Sequence, residues 1–121
     1  VIICPSNPYL SVDPILSINE IKTFLLETDI PILAVSPIIA NDSIKGPTSK
    51  IMREMNNDPS VESIAQHYSE LIDVLVIDHK DANCHPIKDS MTFIVDSIYM
   101  SNLEDKISLA TNCLKKIKEL S

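Results

Sequence analysis

The sequence predicts an α/β fold, in which an open and mainly parallel sheet carries helices on both faces. Short runs of consecutive apolar residues, which are typical of strands buried on both sides, alternate along the chain with stretches of helical periodicity. The composition, with 45% hydrophobic and 22% charged residues among 121, suits one globular unit. We therefore expect a single α/β domain over residues 1–121.

Four apolar runs are predicted as buried strands. The first is Val-Ile-Ile at residues 1–3, and a loop with three prolines follows it over residues 5–14. The later strands are expected at residues 31–36, 73–78 and 92–96. Loops are expected over residues 37–47 and 80–90, the second of them with room for one turn of helix.

Two of the predicted helices begin with the spacing of a capping box. Ser17 and Glu20 start a helix that runs to about Glu27, and Ser101 and Glu104 start the last helix, which ends near residue 120. The apolar stripe predicted for the last helix is Leu103, Ile107, Ala110, Leu114 and Ile117.

Two further helices are expected in the middle of the chain. A short one is predicted over residues 48–56, and Asp58 is predicted as the N-cap of the next one, with Pro59 at its first position. The apolar stripe of this second helix is Val61, Ile64, Ala65, Tyr68 and Leu71.

Charge and cysteine content narrow the classes of function. The formal net charge of −7 disfavours nucleic acid as a partner. No apolar run approaches the ~20 residues of a membrane span, and no signal peptide is apparent, so we expect no membrane partner. The three cysteines form no CxxC pair, which favours a reducing compartment, and we expect the protein in the cytoplasm.

A basic segment lies where ligands bind in open α/β sheets, outside the carboxyl end of a strand. Lys45 precedes the short helix at residues 48–56, and Lys50 and Arg53 lie inside it. Cations near a helix N-terminus are unfavourable unless an anion binds there. Gly46, the single glycine of the chain, allows close approach to the backbone next to Thr48. A phosphate site and a solvated basic turn both remain open.

The proline-rich loop after the first strand is a second candidate. Ser6, Asn7 and Ser11 offer short polar groups for a diphosphate or a metal-bound water. The alternative is a turn whose side chains bond to their own backbone.

Carboxylates also follow two strands. Asp78 and Asp81 after the third strand, and Asp96 after the fourth, could bind Mg²⁺ between phosphates or could cap the turns that follow them. His79, Cys84 and His85 do not have zinc-ligand spacing, and His67 is interpreted as structural.

Several strings resemble the 2-phospho-L-lactate transferase family. They are ICPSNP at residues 3–8, SVDPIL at 11–16, AVSPII at 34–39, KGPT at 45–48, HY at 67–68, VID at 76–78, and DS with LEDK at 96–97 and 103–106. The resemblance covers the whole chain in order. In that family a Gly-Gly pair is usual where Ala40 and Asn41 stand.

The resemblance implies a Rossmann-like fold and a role in the biosynthesis of coenzyme F420, in an archaeon similar to the methanogens. The resemblance further implies a homodimer that uses Mg²⁺ to transfer a phospholactyl or phosphoenolpyruvyl group. The donor is lactyl- or enolpyruvyl-diphospho-guanosine, the acceptor is a deazaflavin alcohol, and GMP is released. The resemblance also implies that this chain is the C-terminal part of a larger transferase and inactive alone, with the acceptor contacts upstream of Val1.

The resemblance strengthens one set of phosphate-binding and donor-binding candidates: Ser6, Asn7, Ser11, Lys45, Gly46 and Thr48. Two other functions remain open. One is a regulatory protein of the same superfamily that binds a nucleotide or a nucleotide sugar without transferring anything. The other is a segment that only completes the sheet and supplies a dimer surface.

Overall fold

The computed structural model of the chain describes residues 1–43, 46–84 and 91–121. Its strands are β1 (Ile2–Ile3), β2 (Leu33–Val35), β3 (Ile38–Ile39), β4 (Asp42–Ser43), β5 (Val74–Asp78) and β6 (Thr92–Asp96). Four of them form a sheet in the order β1-β2-β5-β6, and every neighbouring pair is parallel. Strands β3 and β4 form a separate antiparallel hairpin. The predicted α/β fold with a parallel sheet is confirmed.

The described residues also form five α-helices and two short helical turns. The α-helices are α1 (Asp13–Leu16), α2 (Asn19–Glu27), α3 (Thr48–Glu54), α4 (Val61–His67) and α5 (Leu103–Leu120). A π-helical turn over Pro8–Val12 precedes α1, and a 3₁₀ turn over His79–Asp81 follows β5. Within the described ranges, no helix combines the length and the apolar character that a membrane crossing requires.

The strands bury side chains on both faces of the sheet. On one face, alternate strand residues such as Ala34 and Leu75 join a core with side chains from the segments over α1–α4 and the π-helical turn. On the other face, Leu33 and Val76 pack with Leu109 and Cys113 of α5. Because β2 and β5 lie in the middle of the sheet, all their residues are buried, as the continuous apolar runs predict.

The two outer strands are less buried than the sequence suggests. Residues Ile2 and Ile3 are only half-buried and Val1 is exposed, since β1 lies at one edge of the described sheet. Strand β6 lies at the other edge and is also partly exposed. The prediction of a fully buried first strand was therefore wrong.

The predicted loop over residues 5–14 is helical in its second half. As a result, Ser17 is not the N-cap of the helix that was predicted to begin there. The chain is helical from Pro8 to Leu16, so Ser17 ends α1 instead of starting α2, and its hydroxyl donates to the Pro14 carbonyl at 2.6 Å. Helix α2 begins after Ile18 without a side-chain cap. The predicted capping box at Ser17 was wrong.

The other two predicted caps are displaced by one or two residues. The N-cap of α4 is Ser60, whose hydroxyl accepts from the Ser63 N–H, and not Asp58. The last helix does begin with a capping box, but its members are Asn102 and Asp105. Ser101 instead donates its hydroxyl to the Asp105 carboxylate at 2.6 Å.

Most of the apolar stripe predicted for the last helix faces outward, and only its member Ile117 packs, partly buried, against the core on the sheet. Leu103, Ile107 and Leu114 are 69%, 57% and 53% exposed. The sheet buries the neighbouring stripe, with Leu109 and Cys113, which is displaced by one residue and therefore by about 100° around the helix. By contrast, the stripe predicted for α4 is buried at Val61, Ile64, Ala65 and Tyr68.

A two-residue turn closes the β3–β4 hairpin. Ala40 and Asn41 have φ angles of 49° and 64°, as a type I′ turn requires at both central positions. Asn tolerates this region, whereas Ala is strained in it. This backbone geometry explains why a Gly-Gly pair suits the position.

The strained turn predicts a stabilising substitution. Ala40→Gly should raise the free energy of unfolding by about 0.5–1 kcal/mol, because glycine adopts positive φ without a steric penalty. Urea denaturation of the chain measures the change. Ala110→Gly, in the exposed interior of α5, is the matched control and should instead destabilise by about 1 kcal/mol. If both variants lose stability alike, the turn is not strained.

The capping box of α5 predicts a contribution to stability that is lost at low pH. Hydrogen bonds from the Ser101 hydroxyl and from the Ser101 and Asn102 N–H groups lower the pKa of Asp105. A lowered carboxyl pKa adds stability above the unfolded value near 4, and this contribution disappears as the pH falls through the folded value. Asp105→Asn should therefore lower the melting temperature at pH 7, and the gap to wild type should narrow towards pH 3. A gap independent of pH would contradict this account.

Candidate functional site

The loops that follow the four parallel strands meet at one edge of the sheet. Ser6 and Asn7 follow β1, Ser36 follows β2, Asp78 ends β5, and Asp96 ends β6. Since all four strands run the same way, their carboxyl ends lie side by side at this edge, where open α/β sheets bind ligands.

A cavity of about 130 Å³ lies at this edge. Its described lining residues are Pro5, Ser6, Asn7, Pro37, Thr48, Met100 and Lys106. The cavity brings together three of the candidate residues from the sequence, Ser6, Asn7 and Thr48. It also adds Lys106 from α5. The described lining offers amide, hydroxyl and ammonium donors and contains no carboxylate.

Asn7 holds its own loop and keeps one amide group unused. Its Oδ1 accepts from the N–H groups of Tyr9 and Leu10, at 3.0 Å each, and so caps the π-helical turn. These two donors fix the orientation of the amide, because Oδ1 is the only atom that can accept them. The Asn7 Nδ2 atom is buried and has no hydrogen-bond partner in the described part of the chain. A buried donor left unpaired costs about 1–3 kcal/mol, so this position favours binding of an acceptor.

The other candidates of the proline-rich loop and the basic segment lie elsewhere. Ser11 is exposed within the π-helical turn, and its N–H donates to the Asn7 carbonyl at 3.0 Å. Lys45 lies outside the described residues. Gly46 has a φ of 73°, and apart from its chain neighbours no described atom lies within 4 Å of the position that a Cβ would take. The backbone conformation is thus sufficient to explain this glycine.

A small hydrogen-bond network fixes the hairpin to the start of α3. The Ser49 hydroxyl and the Ser43 N–H both donate to Oδ1 of Asp42, at 2.7 and 2.8 Å. The bond from Ser49, followed by the one from Ser43, lowers the pKa of Asp42. The network holds the first turn of α3, and with it Thr48, in a fixed position beside the cavity.

Asp78 and Asp96 lie opposite each other in the register of β5 and β6. The buried Asp78 carboxylate accepts from the N–H groups of Lys80 and Ile98, at 3.1 and 3.3 Å. Asp96 accepts from the Ser97 N–H at 2.7 Å and from the Asn112 side chain at 2.8 Å. Both carboxylates therefore cap or tie loops. No group of three or more metal-ligating side chains occurs among the described residues.

Two residues of this edge have a position or contact that the sequence did not predict. The carboxylate of Asp81 is buried, and both its oxygens lie 3.1 Å from the Ala40 N–H, which ties the hairpin turn to the end of β5. Lys106 lies at least 58 residues along the chain from Ser6, Asn7 and Thr48, the other polar residues of the cavity. The LEDK string contains it, but nothing in its spacing places it beside Asn7.

His67 has the structural surroundings that its interpretation predicts. Its Nε2 lies 2.8 Å from an Asp13 carboxylate oxygen, which links α4 to α1. The rings of Tyr9 and Tyr68 pack edge-to-face against the imidazole, with centroids 4.9 and 5.1 Å away. Burial raises the pKa of the Tyr68 hydroxyl well above its ordinary value, so Tyr68 stays neutral.

Comparisons with known proteins agree with the motifs. The family model described as 2-phospho-L-lactate transferase CofD matches residues 1–110. The 2-phospho-L-lactate transferase of Methanocaldococcus jannaschii is 41% identical over 115 residues, which are 95% of this chain and 36% of that protein. Those of Methanococcus vannielii and Methanopyrus kandleri are 39% and 35% identical, over 98% and 99% of this chain and 37% and 38% of theirs. The chain thus spans little more than a third of these relatives.

The two strand-end aspartates should differ in their effect on folding. Asp78→Ala leaves two backbone N–H groups without their acceptor in a buried place, and should cost about 2–3 kcal/mol of stability. Asp96→Ala, at a more exposed position, should cost less than about 1 kcal/mol. Urea denaturation without Mg²⁺ measures both. Equal losses would show that Asp78 does not tie β5 to the loop after β6.

Proposed function

Since the chain belongs to the 2-phospho-L-lactate transferase family, we propose that it forms part of an enzyme of coenzyme F420 biosynthesis. The enzyme transfers a phospholactyl or phosphoenolpyruvyl group from lactyl- or enolpyruvyl-diphospho-guanosine to a deazaflavin alcohol and releases GMP. We further propose that it acts in the cytoplasm as a homodimer. The exposed apolar side chains on the outer face of α5 are a surface that such an assembly could bury.

The single observation that supports this function best is the unpartnered Asn7 amide in a cavity of donors. The diphospho donor and both products carry phosphate oxygens, which are acceptors with negative charge. Asn7 Nδ2, with the hydroxyls of Ser6 and Thr48 beside the same cavity, offers donors for them without a described carboxylate to repel the anion. The cavity lies at the edge of the sheet where ligands of this fold class bind.

The proposed reaction demands positioning and stabilisation of charge. The acceptor hydroxyl oxygen forms a bond to the phosphorus that carries the lactyl or enolpyruvyl group. The bond from that phosphorus to the GMP oxygen breaks, GMP leaves with the electron pair, and the hydroxyl proton passes to a base. Donors held by a rigid frame stabilise the developing charge most effectively. Pro5 and Pro8 on either side of Ser6 and Asn7 restrict the backbone of this loop.

The other sequence candidates keep their proposed roles. We propose that Lys45, Gly46 and Ser11 contribute to binding the donor. Asp78 and Asp96 would hold Mg²⁺: they are neighbours in register, and each of their carboxylate oxygens accepts one described hydrogen bond and retains a further lone pair. When bound, Mg²⁺ would neutralise negative charge on the diphosphate.

The Asn7 amide provides the test of this function. Asn7→Asp retains an oxygen for the Tyr9 and Leu10 N–H groups, so the π-helical turn keeps its cap. It replaces the free donor by an anionic acceptor. In a full-length transferase that carries this segment, kcat/KM with the guanosine-diphospho donor should fall about 10–1000-fold. Asn7→Ala should lose similar activity and, in addition, about 1 kcal/mol of stability.

A matched control and the contrary outcomes complete the experiment. Asn19→Ala, at an exposed position of α2, should leave kcat/KM within about twofold. If Asn7→Asp also stays within twofold, the loop has only a structural role. If wild type binds the donor but transfers nothing to a deazaflavin in Mg²⁺, the function is that of a nucleotide-binding regulator.

A further inference from the structure

We propose that Lys106 binds a phosphate oxygen of the donor in the cavity that it lines together with Asn7. This inference rests on the proposed function, because it names a binding residue for the same substrate. Lys106 is the fourth residue of α5 and lines the cavity together with the loop after β1. The two residues come from elements 99 positions apart in the chain, and only the fold brings them to one cavity.

The charges around the cavity favour an anion beside Lys106. It is the one charged residue in the described lining. In the described part of the chain its ammonium has no ion pair within 4.0 Å. The preceding residue, Asp105, makes no ion pair with Lys106, and its carboxylate accepts hydrogen bonds from Ser101 and Asn102 in the capping box. Lys106 therefore brings to the cavity an ammonium without a described ion-pair partner, although the net charge of the chain is −7.

The position of Lys106 in the first turns of α5 also favours an anion beside it. Cations near a helix N-terminus are unfavourable, and the first turn of α5 otherwise carries Glu104 and Asp105. An anion bound at Lys106 would interact favourably with both the ammonium and the positive end of the helix dipole.

An apolar groove adjoins the proposed contact. The donor-lined cavity adjoins a larger groove of about 510 Å³ with almost entirely apolar walls, and Pro5, Met100 and Lys106 line both. The methylene stem of Lys106 can lie along these apolar walls while its ammonium meets the ligand.

The ligand class follows from the donors. Asn7 Nδ2 and the Lys106 ammonium can both donate to one anion that carries several oxygens, and the hydroxyls of Ser6 and Thr48 add to the set. A diphosphate offers acceptors in several directions and carries the negative charge that Lys106 requires. Inorganic pyrophosphate, the anion common to the diphospho donors, is therefore the probe for this site.

The test is the affinity of full-length protein for inorganic pyrophosphate, measured by isothermal titration calorimetry. Lys106→Ala should raise Kd about 10–100-fold, since a charge-assisted bond is lost. Lys106→Arg should stay within about threefold, because it keeps a cationic donor. Lys115→Ala, at an exposed position of the same helix, is the matched control and should stay within about twofold. Ala is a good helix former, so these variants should keep the fold.

A second measurement does not depend on a variant at Lys106. Pyrophosphate should shift the side-chain amide resonances of Asn7 in ¹⁵N-labelled wild type, and the shift should weaken in Lys106→Ala. The inference is overturned if Lys106→Ala binds pyrophosphate as tightly as Lys115→Ala does, or if wild type does not bind it.

Turnover assays on the same proteins separate this inference from the proposed function. Transfer by wild type, with no change of pyrophosphate affinity in Lys106→Ala, contradicts the role of Lys106 alone. Pyrophosphate binding that depends on Lys106, without transfer to a deazaflavin, contradicts the transferase function and supports the anion site.

Discussion

The parallel pairing of β2 with β5 is the constraint on which the rest of the molecule depends. Both strands are buried along their whole length, so neither can shift in register without exposing apolar side chains. Their common direction brings four strand ends to one edge of the sheet. The helices on the two faces cover the pair, and the loops at its carboxyl edge receive their positions from it.

One side chain at that edge, Asn7, has both a structural role and a proposed chemical role. Asn7 uses its oxygen to hold the π-helical turn that begins after it, and this leaves its nitrogen without a described partner. The two interpretations of the loop therefore concern different atoms: the oxygen makes the backbone bonds of a turn, and the nitrogen is the donor that we propose for the ligand. The cap makes the donor rigid, and rigidity is what a site for developing charge requires.

The sequence was sufficient for those features that one stretch of chain decides. The apolar runs of β2 and β5 and the stripe of α4 were predicted because burial on all sides leaves a plain pattern. The prediction of helix caps failed where several short polar residues lie close together, as at Asp58 and Ser60, because tertiary packing decides which of them begins the helix. The prediction of the buried stripe of α5 failed because the helix carries two overlapping apolar stripes, and mainly one of them packs against the sheet. The place of Lys106 at the cavity could be found only from the fold, since no local sequence pattern relates it to Asn7.

The packing of His67 gives the candidate site a built-in spectroscopic reporter. Tyr9 follows Asn7 by two residues, and its ring lies edge-on against the imidazole at 4.9 Å. Aromatic ring currents fall steeply with distance and angle, so the imidazole proton resonances depend on the position of Tyr9. Tyr68, buried and fixed on the same helical segment as His67, supplies a constant contribution. A change in these resonances therefore reports movement of the loop that carries Asn7, in a chain without tryptophan to serve as a fluorescent probe.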